Sequence, residues 1–194
     1  ETQHKLKNEN VVLFEAAFQS GDKLVRVDIL EKIGNQFQLI EVKSKSFRTS
    51  DGFKKKAEWL EYLTDVAFQK MVVREAFPKA TIHSFLFLPD KDTATPIEGL
   101  ISWFSIEESE GKTRVNFTGN QNELLKGHIL SLISVDKEIE ELTSTVKAES
   151  IRYVKALKAG ITEAFKSQIG IFCRDCEYRV NDDSEKNGFK DCWG

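Results

Sequence analysis

The sequence predicts an α/β domain, and two observations carry the prediction. Three β-rich runs, 11–18, 24–30 and 37–42, are separated by Gly21-Asp22 and Gly34-Asn35. Such pairs close two-residue hairpin loops because glycine takes the positive φ these turns need, so residues 11–45 read as an antiparallel three-strand meander. A long helical segment over 53–77 then precedes the apolar run Phe85-Leu86-Phe87-Leu88, which lies inside a strand expected at 81–88.

Each element follows from local pattern. Residues 1–10 are polar and read as frayed. In the second strand Val25, Val27 and Ile29 alternate with Arg26, Asp28 and Leu30, and in the third Ile40 and Val42 alternate with Leu39, Glu41 and Lys43. One sheet face is therefore expected to pack on a core and the other to present charge. In the helix, Ala57, Leu60, Thr64, Ala67, Met71 and Arg74 recur at helical spacing, Trp59, Leu63, Val66 and Val73 broaden the apolar side, and Pro78 marks the end. Segments 97–106 and 113–117 are two further strands or an insertion, and 122–134 reads as helix. A last helical region over 136–166 is expected to break near 148–150 or at Gly160, with Asp136 or Ser134 capping its start. This organisation amounts to one domain over 1–168, with an insertion around 90–135, and a cysteine-containing tail over 169–194.

Composition narrows the function. The 194 residues are 40% hydrophobic and 30% charged, which suits a packed core and not a disordered chain. A net charge of −3 excludes a generally basic nucleic-acid coat while allowing a local basic patch. No run of about 18 apolar residues occurs, so no membrane span is expected. The chain opens at Glu1 without Met and is expected to be an excised fragment or processed product. All three cysteines fall in the last 22 residues. An odd count with a C-x-x-C element points to a reducing compartment, the cytoplasm, and to a metal or cluster in place of disulfide staples.

Counting from the turns sets the strand register. Ser20 closes against Lys23, which places Glu15 opposite Asp28; Ile33 closes against Gln36, which places Asp28 opposite Glu41. Opposed residues share a face on strands about 4.8 Å apart, so these acids fall in a row and repel. A divalent cation would remove the repulsion, and with Lys43 two residues past Glu41 the row reads as a nuclease site. Phosphodiester hydrolysis needs an activated water and a Lewis acid on the phosphoryl oxygens, and carboxylates suit Mg²⁺ or Mn²⁺. Asp28 and Glu41 are the expected core ligands, the Val42 carbonyl a further oxygen, and Glu15 a direct or water-mediated one. Lys43 is expected to hold the attacking water or stabilise developing charge. Lys45, Arg48, Lys54, Lys55 and Lys56 follow closely and are expected to hold phosphates, the other reading being a solvated helix start.

At these residues the chain resembles a known family. Val27-Asp28-Ile29 followed by Ile40-Glu41-Val42-Lys43 looks like the PD-(D/E)XK nuclease signature. The runs Phe14-Glu15-Ala16-Ala17-Phe18 and Leu39-Ile40-Glu41-Val42-Lys43-Ser44, and the tail Cys173-x-x-Cys176-Glu177-Tyr178-Arg179, are similar to the RecB-like branch, most of all to a bacterial group of iron–sulfur exonuclease-like proteins. The likeness covers 11–77 and the tail, and no motif in 90–135 matches. Val27 stands where proline is common, and only His4 precedes the strands, where the branch carries a helical histidine. The resemblance implies a restriction-endonuclease-like core, a mixed β-sheet flanked by helices, and Mg²⁺- or Mn²⁺-dependent DNA cleavage. That cleavage would be exonuclease-like, in repair or phage defence, with any helicase or repair partner left open. It also implies that Gln69 places the substrate or Lys43.

Cys173 and Cys176 bring two thiolates to one turn, and Cys192 follows after 15 intervening residues. Three thiolates are one short of a closed zinc or 4Fe–4S site. The resemblance implies a 4Fe–4S cluster with one cysteine from before the nuclease core, so the fourth ligand is absent from this chain; zinc and unligated thiols are the other readings. The sequence thus reads as a metal-dependent deoxyribonuclease. Its rivals are a catalytically inactive nucleic-acid-binding or scaffold module retaining the nuclease fold, and a zinc-stabilised interaction domain in which the acid row is incidental.

Overall fold

The structure is a computed structural model that describes residues 1–53, 56–109, 111–159, 170–180 and 186–193. The chain divides into two units, Glu1–Lys147 and Ala148–Gly194. The first unit opens with a helical turn, α1 (Thr2–Lys5), that the polar sequence did not suggest. It is fastened by burial of Leu6 and by the Ala17 N–H, which donates to Thr2 Oγ1 at 3.2 Å.

Strands β1 (Asn10–Ser20), β2 (Lys23–Ile33) and β3 (Gln36–Val42) form the antiparallel meander. Gly21 and Gly34 each take φ of 56°, and the closing pairs are Ser20 with Lys23 and Ile33 with Gln36. The meander is only part of the sheet. Helix α2 (Lys56–Ala76) carries the chain to β4 (Thr81–Pro89), which runs parallel to β3. The chain then forms a separate two-stranded sheet from β5 (Phe104–Ser109) and β6 (Lys112–Phe117), followed by helix α3 (Gln121–Gly127). Strand β7 (Leu130–Ser134) returns antiparallel to β4 and completes a mixed five-stranded sheet of order β1-β2-β3-β4-β7. The last five residues of the helix expected over 122–134 are therefore a strand. The free edge of β4 offers a complete ladder, from Pro89 with Leu130 to Phe85 with Ser134, and that non-local pairing overrides the local helical spacing.

The β1–β2 hairpin bends sharply. Phe18 lies opposite Val25 and Phe37 opposite Lys32, seven residues away along β2 and about 23 Å on a straight strand. Yet both rings pack on Phe77, with centroids 5.8 and 5.2 Å away. The bend falls at Glu15, whose φ of 54° interrupts the ladder between the pairs Phe14–Ile29 and Ala16–Val27, and β2 leaves β3 beyond the pair Ile29–Ile40. It also shifts the phase of burial. Val25, Val27 and Leu30 are all buried, so the simple alternation expected for β2 fails past Asp28. On β3 the buried face is Phe37, Leu39 and Glu41, with Val42 exposed. Glu41 thus belongs to the face covered by α2, where Leu63, Val66, Ala67, Val72 and Val73 complete the core.

The connection from β3 to α2 is pinned twice. Phe47, Phe53 and Trp59 form an aromatic triangle with centroids 4.9 to 5.7 Å apart. Asp90 accepts from the Thr49 N–H and hydroxyl, the Asp92 N–H and the Ser131 hydroxyl, and these bonds, the Thr49 hydroxyl first, hold its pKa down to about 2. Helix α4 (Asp136–Glu140) starts without a side-chain cap, because the Asp136 carboxylate turns instead to Lys70 Nζ at 2.5 Å and the Ser84 N–H at 3.0 Å. Helix α5 (Thr143–Ala159) follows and runs unbroken through 148–150, so the break expected there falls instead at 141–142, between α4 and α5; Gly160 lies outside the described residues. In the second unit a 3₁₀ turn over Ile171–Asp175 and a helix over Gly188–Trp193 are joined through buried Asn187, whose amide donates to the Val180 carbonyl at 2.6 Å. No described helix is long and apolar enough to cross a membrane.

Two expected outcomes follow from these constraints. Glu15→Gly leaves the thermal midpoint unchanged or raises it, whereas Glu15→Val lowers it, since glycine takes this φ without a Cβ clash and a β-branched side chain tolerates it less well than glutamate; equal destabilisation by both in urea unfolding would refute the backbone account. For Asp90 the native pKa lies below the ordinary value of 3.8, so its stabilisation is present above that value and is lost as pH falls toward 2. The wild type should therefore exceed Asp90→Asn in stability at neutral pH, with the gap closing between about pH 4 and pH 2, as urea titrations across that range would read.

Candidate active site

The site forms where β2 and β3 part. Past the Ile29–Ile40 pair the ladder stops, and the Asp28 carboxylate takes the place of a backbone partner by accepting the Val42 N–H at 2.8 Å. One side chain thereby closes the end of the ladder and stays beside Glu41. Glu41 is only 6% exposed, and both of its oxygens are engaged: Lys43 Nζ donates to Oε1 at 2.6 Å and Gln69 Nε2 to Oε2 at 2.8 Å. Lys43 also reaches Asp65 Oδ2 at 3.3 Å and lies 5.3 Å from the centre of the Tyr62 ring.

The electrostatics follow from this crowding. Burial pushes the Glu41 pKa above its ordinary value, and the neighbouring charges of Asp28 and Asp65 add to the effect, against the bonds from Lys43 and Gln69. Burial also acts against the Lys43 ammonium, yet Glu41 and Asp65 together outweigh it and raise its pKa. The same ion pair therefore lifts the lysine without pulling the glutamate down, because the lysine faces two acids and the glutamate faces one lysine and two further acids. Two carboxylates, Glu41 and Asp65, share one ammonium.

The other expected residues are distributed as follows. Glu15 is exposed and pairs with Arg26, Oε2 to Nε at 2.6 Å, at the bend itself. Gln69 is buried as part of α2, and its Oε1 has no donor among the described residues. A buried acceptor without a partner costs about 1–3 kcal/mol. Lys45 donates to the Glu58 carbonyl at 2.6 Å and sits 4.5 Å from the Trp59 ring centre, and Arg48 pairs with Asp92 at 2.9 Å. Lys54 and Lys55 lie outside the described residues, and Lys56 begins α2. Cys173 is half-buried, its sulfur accepting from the Gly170 N–H at 3.4 Å; Cys176 is half-buried and Cys192 exposed.

Sequence reasoning missed Asp65 and Tyr62. The signal was present: Asp65 lies four residues before Gln69 on α2, and residues at that spacing share a helix face.

The fit to a metal can be judged from these donors. Among the described residues no group of three or more His, Cys, Asp or Glu side chains is placed to hold an ion, so neither the full acid trio nor the cysteine trio forms a ligand group. The three thiols do not fit a cluster or zinc site by themselves. Asp28 and Glu41 are donors of the type that suits a hard cation, since Mg²⁺ is often held by one or two carboxylates with waters and substrate phosphates completing the shell, and both Glu41 oxygens are engaged by Lys43 and Gln69. Adding Mn²⁺ at about 100 times its dissociation constant should stabilise the protein by roughly 2.7 kcal/mol, and EDTA should abolish the gain. Asp28→Asn should show no such gain, and a shift of equal size in that variant would place the ion elsewhere. No protein-family profile matches the chain, and neither a curated protein nor a solved structure matches it.

Proposed function

We propose that the chain is a divalent-metal-dependent nuclease that hydrolyses DNA phosphodiester bonds. The observation that carries the reading is the convergence of Asp28, Glu41 and Lys43 at the parting of β2 and β3, with the buried Glu41 carboxylate fixed by Gln69. The element order supports a restriction-endonuclease-like core: a three-strand meander, a crossing helix and a fourth strand parallel to the third.

In this reading Asp28 and Glu41 hold Mg²⁺ or Mn²⁺, which when bound supplies Lewis acidity toward the phosphoryl oxygens and a more acidic water. The chain's own groups do the rest. Gln69 fixes the Glu41 carboxylate, and α2 keeps bulk water from its inner side. Lys43 presents a fixed cation where negative charge develops on the phosphorus oxygens, which favours the transition state over the ground state. Lys45, stacked over Trp59 and within 5.5 Å of the Tyr62 ring centre, extends the cationic line from Lys43 and suits a backbone phosphate without reading sequence.

A second reading, binding without cleavage, is favoured by one observation: both Glu41 oxygens are already taken by the chain itself. Linear DNA incubated with Mn²⁺ separates the two. The wild type should degrade it, and Lys43→Ala and Asp28→Asn, the latter retaining an amide oxygen for the Val42 N–H, should each lose about 10²-fold or more while keeping their melting curves, the size typical of a lost charge-stabilising group. Gel shifts without cleavage under any divalent ion would establish the second reading.

A further inference from the structure

We infer that Asp65 is a positioning residue for Lys43, a second seat that takes over the ammonium when Glu41 turns to a metal ion. The inference rests on the nuclease reading and deepens it. Lys43 Nζ is shared between Glu41 Oε1 at 2.6 Å and Asp65 Oδ2 at 3.3 Å. Those two acids differ in surroundings. Glu41 is buried and its other oxygen is bound by Gln69, so Oε1 is the oxygen that a cation arriving from solvent would meet. An ammonium and a metal ion on that same oxygen would repel, so loading the site requires Lys43 to leave it.

Asp65 is built to receive the lysine. Its side chain is 44% exposed, so it meets solvent where the Glu41 carboxylate does not. It projects from α2 four residues before Gln69, so the helix that fixes Glu41 also fixes the second seat. Tyr62, three residues before Asp65, puts its ring face beside the same ammonium at 5.3 Å. The lysine thus moves between two anchors on one rigid floor, without being released to solvent. It ends unpaired from Glu41 and aimed by Asp65, free to give its remaining N–H bonds to substrate or water. In the unloaded state the Lys43–Glu41 bond closes the site, and in the loaded state the Lys43–Asp65 bond arms it.

A crystal structure soaked in Mn²⁺ tests the handover directly: Lys43 Nζ should lie within hydrogen-bond distance of Asp65 and no longer on Glu41. Kinetics test its use. Asp65→Asn should lower kcat by about 10- to 100-fold with KM for DNA changed less than about threefold, and should add nothing in the Lys43→Ala background, since residues that act as a unit are not additive. Manganese affinity read by paramagnetic resonance should change less than about threefold in Asp65→Asn, because a positioning residue is not a ligand. Manganese bound with Lys43 still on Glu41, full additivity with Lys43→Ala, or a loss of ion affinity of about tenfold would each overturn the handover alone. Absence of manganese from Asp28 and Glu41 would overturn the nuclease reading and the handover with it.

Discussion

The structure depends on the bond between the Asp28 carboxylate and the Val42 N–H. A β-ladder that stops inside a folded sheet leaves backbone groups without partners in the sheet. Here the strands part after Ile29 and Ile40, and a side chain supplies the acceptor that β2 no longer provides. The parting creates the cleft and the bond stabilises it, so the acid that reads as functional is also structural. The same parting frees the tip of the β1–β2 hairpin to bend at Glu15 and carry Phe18 over to Phe77.

Glu41 shows what the site costs. An acid on the covered face of β3, in register with Phe37 and Leu39, loses hydration that its neighbours never needed. Burial raises its pKa, and the nearby Asp28 and Asp65 raise it further. A fold selected for stability alone would put an apolar residue there, because a buried ion pair seldom outperforms well-packed hydrophobic groups. Local conflict of this kind is where functional or strained positions are expected.

The legible parts of this chain were those set by short-range chemistry. Gly21-Asp22 and Gly34-Asn35 fixed two turns, and the turns fixed a pairing count that holds between β2 and β3 as far as Ile29 and Ile40, one pair short of the expected Asp28 and Glu41. Between β1 and β2 the count holds on both sides of Glu15, and only the expected pair of Glu15 with Asp28 does not form. The count assumed regular pleating, and the φ of 54° at Glu15 breaks the pleat; the residue that the row needed as its third acid is the residue at the bend, held by Arg26. Nothing in Phe-Glu-Ala announces a left-handed glutamate, since the conformation is imposed by the hairpin tip packing on Phe77. β7 was illegible for a related reason: Leu-Ser-Leu-Ile-Ser is too short to declare a period, and only the edge of β4 makes it a strand. The site's helix residues fall between these cases. Gln69 was found through resemblance, and Asp65 was one helical turn away from being found with it.

Helix α2 explains how these parts act together. Its C-terminal end is gripped from both ends of the meander, by Phe18 and Phe37 on Phe77 and by Lys23 on Glu75 at 2.7 Å, while its start is seated through Trp59 in the aromatic triangle with Phe47 and Phe53. A helix fixed at both ends cannot rotate, so the positions of Gln69, Asp65 and Tyr62 relative to β3 are set by packing remote from the charges. That matters because the unfavourable electrostatics around Glu41 would otherwise relax by a turn of the helix that carried Gln69 away. The bend in the hairpin therefore serves the site indirectly. By bringing Phe18 to Phe77 it holds the helix, and the helix holds a carboxylate in a place it would not choose.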